Sequence, residues 1–259
     1  MAMDTVLFKI KVITNLHAGS GDAEYGIVDK LVQRDAATRM PTIYGSSIKG
    51  ALKEYCRNQG QTWLTEIFGN EEEIMAEPIN ENKSESNEEV KEESKTKKKR
   101  ITIAGKVRFL AADLMALPVP HNSSPYFRLA WDDGHLEKLL EKYQHFNTDI
   151  SFADLIPERE EGWNANEIIS EKYKSEFQEA LDELPVIARN HLENGISQNL
   201  WYEEVVPHQS QFIFGVQADG SFEAGNFKEF ITAVNDKIIQ VGGNATVGYG
   251  LCKFTQIFP

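Results

Sequence analysis

Three consecutive segments decide the fold: QFIFGVQ (Gln211–Gln217), GNFKEFITAVNDKIIQ (Gly225–Gln240) and LCKFTQIF (Leu251–Phe258). The first is rich in Phe, Ile and Val and reads as a strand. The second displays Phe227, Phe230, Ile231, Val234 and Ile238 at helical spacing, which predicts a helix over Gly225–Gln240. The third reads as a closing strand. Their order is β-α-β.

Working outward, the same order occurs earlier in the chain. Val6, Phe8, Ile10 and Val12 alternate with residues of the opposite face, predicting a strand from about Val6 to Thr14. Ser46 and Ser47 offer N-caps to a helix whose Ile48, Ala51, Leu52, Tyr55 and Cys56 form one apolar stripe. Ile101–Leu110 reads as the next strand. Two such halves assemble into an α+β fold, an antiparallel ferredoxin-like or RRM-like sheet with both helices on one face. Residues 1–259 then form a single domain, with elaborations over residues 111–207 that include helices around His135–Phe146 and Glu171–Leu181. Residues 71–100 hold ten acids and seven bases with almost nothing apolar, so they are expected to form a flexible, charged insertion.

Composition is globular, with 41% hydrophobic and 26% charged residues. The most apolar run, Phe109–Pro120, is interrupted by Asp113 and Pro118, and Met1–Asp4 shows no basic n-region followed by an apolar stretch, so an untargeted protein is expected. A soluble cytoplasmic protein without a membrane partner is expected. Cys56 and Cys252 belong to no CxxC pair, which excludes a zinc ribbon and leaves two buried thiols. A net charge of −13 weighs against a generic nucleic-acid binder, so RNA contact would have to use a local groove and backbone N–H groups.

Three motifs carry chemistry. Leu16-His17-Ala18-Gly19-Ser20-Gly21 ends the first strand in a glycine-containing turn able to hold a phosphate, and Gly26-Ile27-Val28-Asp29 and Gln33-Arg34-Asp35 follow it. Tyr44-Gly45-Ser46-Ser47-Ile48-Lys49-Gly50 opens a helix, and Lys49 in its first turn adds a full charge to the anion-favouring end of the dipole. Gly242-Gly243-Asn244-Ala245-Thr246-Val247-Gly248-Tyr249-Gly250 links the last helix to the last strand with more glycines than a simple turn needs. Each has an ordinary structural reading as well: a turn, a solvated helix lysine, and a helix C-cap with a bulge. The remaining histidines, His121, His135, His145, His191 and His208, show no metal-ligand spacing and are expected to be structural.

In this order the three blocks resemble the signature of the RAMP superfamily. Leu184-Pro185-Val186-Ile187-Ala188-Arg189-Asn190 and Asn199-Leu200-Trp201-Tyr202-Glu203-Glu204-Val205-Val206-Pro207 narrow the resemblance to the backbone subunit of type III-B (Cmr) CRISPR effector complexes. The resemblance runs from Leu7 to Phe254 outside the charged insertion. It implies a subunit that stacks in several copies along a CRISPR guide RNA beside other type III-B subunits. Each copy grips guide phosphates, interrupts the guide–target duplex with a thumb, and cuts the complementary target RNA there.

The resemblance further implies that Asp29 is the cleavage acid, with His17 as a catalytic and guide-binding residue. It places Gly19, Ser20, Ser46, Ser47, Lys49, Gly242, Gly243, Asn244 and Thr246 at the RNA. Asn190–Gln198 is a candidate thumb. Asp29 would bind a divalent cation, expected to be magnesium, or help activate a 2′-hydroxyl. Glu203 and Glu204 are candidates for catalytic support or for rim salt bridges. A non-catalytic RNA-binding scaffold of a related CRISPR complex is the alternative, and an acid at Asp29 separates the two readings. An unrelated ferredoxin-like enzyme acting on a small molecule would suit the acidic pI but lacks a triad or cofactor loop.

Overall fold

A computed structural model describes residues 4–21, 28–75, 98–122, 126–146, 149–157, 171–218 and 224–257. Strand β1 (Thr5–Val12) pairs antiparallel with β10 (Gln211–Ala218) on one side and with β12 (Leu251–Ile257) on the other. Beyond β10 lie β5 (Val107–Phe109) and β6 (Ala112–Pro120). The four inner positions therefore run β12-β1-β10-β5/β6, the ferredoxin-like order with strands numbered 4-1-3-2. Short strands β2 (Thr42–Ile43), β7 (Phe127–Ala130) and β11 (Lys237–Gln240) extend the edges.

All eight residues of β10 are buried because both faces of the sheet are covered there. Phe212, Phe214 and Val216 join one core with Phe8, Ile10 and Val12 of β1. That core is roofed by α1 (Gly45–Asn58) through Ile48, Leu52 and Cys56, and by α6 (Ala224–Val234) through Phe227, Phe230, Ile231 and Val234. Both helices pack on one face, as the sequence implies. Short α2 (Leu64–Phe68) adds Phe68, edge-on to Phe230 with ring centroids 5.7 Å apart. On the reverse face, Leu7 and Ile213 meet Leu136, Leu139 and Tyr143 of α3 (Asp133–Gln144), with α4 (Phe152–Leu155) alongside. Helix α5 (Glu171–Asp182) packs beside β6 and β7.

Three segments differ from the sequence reading. The strand expected over Ile101–Leu110 is two strands. Strand β4 (Lys98–Ala104) pairs with β3 (Gly69–Met75) in a hairpin outside the main sheet, and of the two it is β5 that joins β10. Gly105 makes the break: a Cβ there would lie 2.4 Å from the Ile67 carbonyl oxygen, a crossing that only glycine passes. Residues 71–75 and 98–100 of the charged insertion are therefore strand, and residues 76–97 lie outside the described residues. Residues 112–120, read as an elaboration, supply β6 of the main sheet.

The helix expected to reach Gln240 stops at Val234. Asp236 takes φ 57, and Lys237–Gln240 turns back as β11 against β12. Ile239 is buried there while Ile238 points outward, a strand alternation that imitated the end of a helical stripe. Burial pushes the Cys56 and Cys252 thiols up to about 12. No helix among the described residues is long and apolar enough to cross a membrane.

Candidate active site

The turn after β1 is strapped to the segment after β9 (Ile196–Glu204): Leu16 and Val206 exchange N–H···O bonds of 2.9 and 2.8 Å. Residues 28–34 then return alongside it, with Ser20 N–H donating to Leu31 O at 3.0 Å and Gln33 N–H to Ala18 O at 2.8 Å. Asp29 closes the third side. Its N–H donates to Tyr202 O at 3.0 Å, and its Oδ2 accepts the Tyr202 N–H at 2.8 Å. The result is a cleft of about 710 Å³ lined by His17, Gly19, Ser20, Asp29, Lys30 and Trp201 among others.

His17 is buried and its Nδ1 lies 2.7 Å from the Glu204 carbonyl oxygen. A carbonyl only accepts, so Nδ1 carries the proton and, in the neutral ring, Nε2 keeps its lone pair. Glycine at position 19 leaves that nitrogen room, since a Cβ there would sit 3.0 Å from Nε2. The His17 carbonyl in turn accepts the Gly243 N–H at 2.9 Å. Gly242, at φ +77, passes so close that a Cβ would lie 2.4 Å from the same oxygen. The glycine-rich loop is thus seated on the His17 backbone.

Glu203 and Glu204 are buried rather than on a rim. Glu204 accepts from Arg34 Nη2 at 2.5 Å and from the Val32 N–H at 3.1 Å. Glu203 accepts from Lys30 Nζ at 2.9 Å and Trp201 Nε1 at 2.6 Å on one oxygen, and from Asn244 Nδ2 at 2.7 Å on the other. Burial raises its pKa, but hydrogen bonds from Lys30, Trp201 and Asn244 and the Lys30 charge outweigh this and hold it at about 2.

Gln33 ties the first two motifs together. Its buried amide donates to Gly19 O at 3.0 Å and Ser47 Oγ at 2.9 Å, and accepts the Tyr44 N–H at 2.6 Å. Ser46 and Ser47 are not N-caps. The helix begins at Gly45, where a Cβ would lie 2.3 Å from Phe109 O, and Tyr44 flanks it without a side-chain cap. Ser46 is exposed in the first turn. Lys49 lines a neighbouring cleft of about 370 Å³ with Lys53, Thr102 and Gly105, outside the Asp29 cleft. Thr246 is exposed on a single 3-10 turn, Ala245–Val247.

The candidate thumb is the tip of a separate hairpin. Strands β8 (Val186–Glu193) and β9 turn at Asn194 and Gly195, both at positive φ, and form a two-stranded sheet of their own that is tied to Asp29 and Lys30 at the Tyr202–Glu204 end. Leu192, Ile196 and Leu200 are 58, 66 and 54% exposed, an apolar tip without a core. At its base the Arg189 guanidinium lies 5.5 Å from the centroid of Tyr249 in the glycine-rich loop.

Among the described residues no three His, Cys, Asp or Glu side chains group to hold a metal ion. Asp29 is exposed and only its Oδ2 is engaged by Tyr202, which leaves Oδ1 as a single oxygen donor at the cleft.

The RAMP superfamily profile matches residues 9–253, nearly the whole of this sheet and all the site loops. The chain belongs to the RAMP superfamily. Over 98% of its length it is 25% identical to the CRISPR system Cmr endoribonuclease Cmr4 of Pyrococcus furiosus, covering 96% of that protein. The fold is shared with a subunit in the cryo-EM structure of the type III-B Cmr-β complex bound to cognate target RNA, at TM-score 0.68, 19% identity and coverage of 99% and 98% of the two chains. Oligomeric Cmr4 from Pyrococcus furiosus aligns at TM-score 0.62 and 18% identity, with 99% of each chain covered.

In this RAMP fold the structure brings His17, Gly19, Ser20 and Asp29 to one cleft, and Gly242, Gly243 and Asn244 to its supporting wall. It leaves Lys49 and Thr246 apart. Gln33 and Arg34 stand in a quoted motif without an assigned role and Lys30 in none; the glutamate partners of Lys30 and Arg34 lie 173 and 170 residues away. His135 and His145 rest on backbone carbonyls, Leu114 O and Glu141 O.

Proposed function

We propose that this chain is the repeated backbone subunit of a type III-B CRISPR effector, holding guide RNA and cutting complementary target RNA at regular intervals in its Asp29 cleft. The observation that carries the reading is the meeting of Asp29, His17 and the base of a bare apolar hairpin in one cleft, in a chain aligned end to end with a Cmr endoribonuclease. Its partners are the guide, the target, further copies of itself and other type III-B subunits, in the cytoplasm.

The hairpin tip supports a wedge role, because exposed leucine and isoleucine side chains can separate stacked bases and splay one nucleotide. Splaying places the 2′-hydroxyl in line with the adjacent phosphorus, the geometry that internal cleavage requires. His17 Nε2 takes the 2′-hydroxyl proton as the 2′-oxygen bonds to phosphorus and the P–O5′ bond breaks, giving a 2′,3′-cyclic phosphate. The imidazolium, stabilised by its Nδ1–H on Glu204 O, returns the proton to solvent as the 5′-oxygen leaves as a hydroxyl protonated by water. The carboxylate of Asp29, oriented by the Tyr202 N–H, does not compete for that single proton and is left to hold a cation beside the phosphate. A divalent cation, magnesium in this proposal, would bind Asp29 and phosphate oxygens and supply charge neutralisation.

The test is Asp29→Ala in a reconstituted complex given labelled complementary RNA and divalent cation. Wild type yields a ladder of evenly spaced products. The variant leaves the target intact while it still comigrates with the complex. An undiminished ladder would sink Asp29 as the cleavage acid and move the reading to Glu203, Glu204 or a scaffold beside another nuclease; loss of target binding would make Asp29 structural.

A further inference from the structure

We propose that Trp201 is the nucleobase platform of the cleft: a target base beside the scissile bond stacks on its indole, which buried Glu203 holds in place. The proposal rests on the reading of this cleft as the RNA-cutting site and says how it seats its substrate.

Trp201 lines the cleft with His17 and Asp29 and belongs to neither hydrophobic core. It is half-buried on β9, on the same strand face as Glu203 two residues on. Its single polar atom donates to Glu203 Oε1 at 2.6 Å, and Glu203 is 1% exposed. Lys30 Nζ binds the same oxygen at 2.9 Å and lies over one face of the Trp201 ring, 5.0 Å from its centroid, so the stacked base takes the opposite face. Asn244 secures the second carboxylate oxygen from the glycine-rich loop. Strand pairing, a buried carboxylate and a cation thus fix an indole that contributes nothing to the core.

A ring fixed in this way loses little entropy when a base stacks on it. Stacking is indifferent to base identity, since every base has a π-face. That suits a cleft which must cut whatever sequence the guide selects. The competing role is a cover, in which the indole only shields Glu203 from water and touches no base.

An abasic nucleotide distinguishes the two. Guide-loaded complexes are given targets carrying one abasic residue on either side of one cleavage site. In wild type the abasic residue slows cutting at that site about tenfold, the loss of one base–aromatic stack, and leaves the other sites unchanged. Trp201→Ala slows every site about tenfold, and the abasic residue then adds less than about twofold. Trp201→Phe, which retains a ring, recovers most of the rate. A second readout uses 2-aminopurine at the same nucleotide in an Asp29→Asn complex: its fluorescence is quenched with Trp201 and regained with Trp201→Ala.

A wild-type complex blind to the abasic residue would overturn the platform, and so would a Trp201→Ala complex that keeps the full tenfold sensitivity. Guide retention by each variant, read on the same gels, shows that it is folded. If the Asp29→Asn complex itself still cuts, the cleavage assignment fails separately.

Discussion

Glu203→Gln should lower thermal stability by an amount that depends on pH. The amide keeps the shape of the carboxylate but turns an NH₂ toward Asn244 Nδ2, which now donates over 2.7 Å, and removes the charge facing Lys30 at 2.9 Å. A carboxylate held from 4.5 down to about 2 contributes about 3 kcal/mol at neutral pH. Glu203 is 1% exposed, so solvent screens its side of the network little. The folded pKa is depressed, so the contribution is complete above about pH 5 and is lost as pH falls toward 2. At pH 3 less than half of it remains by the same relation. Calorimetry at pH 7 should therefore find the variant melting roughly 6–12 °C lower. At pH 3 the gap should shrink by more than half, because the other carboxylates titrate alike in both proteins. A gap below about 1 kcal/mol at pH 7, or one that persists undiminished at pH 3, would refute the network account.

Lys49→Ala should weaken guide retention evenly across guide sequences and lower the salt slope by about one phosphate contact, read from retention over a salt series. Deleting residues 76–97, which leaves β3 and β4 whole, should leave cleavage near wild type; an insoluble product would show that the segment is structural. Chelation of divalent cations should slow target cutting while guide and target stay bound, and a rate unchanged by chelator would remove magnesium from the proposal.

The ferredoxin-like order was legible because its inner strands carry alternating or continuous apolar runs, and its two helices carry single stripes. Phe8, Ile10 and Val12 on β1 and Phe227, Phe230 and Ile231 on α6 all reach the core they imply. What misled was local ambiguity. Ile238 and Ile239 fit a helical stripe and a strand equally well until Asp236 reverses the chain. Ile101–Leu110 reads as one strand unless Gly105 is known to cross Ile67. At the site, the motifs that hold His17, Gly19, Ser20 and Asp29 line one cleft. The partners of Glu203 and Glu204 were not legible, because Lys30 and Arg34 are distant in sequence and meet them only through the fold.

The clasp formed by Gln33 has a mechanical consequence. One side-chain amide spans the turn at Gly19, the hydroxyl of Ser47 and the backbone of Tyr44, so the cleft turn and the start of α1 cannot shift independently. In a filament of identical copies, the step from one grip to the next cut would then be a gauge length set by a stiff body. The spacing of the fragments would then owe nothing to the target's sequence.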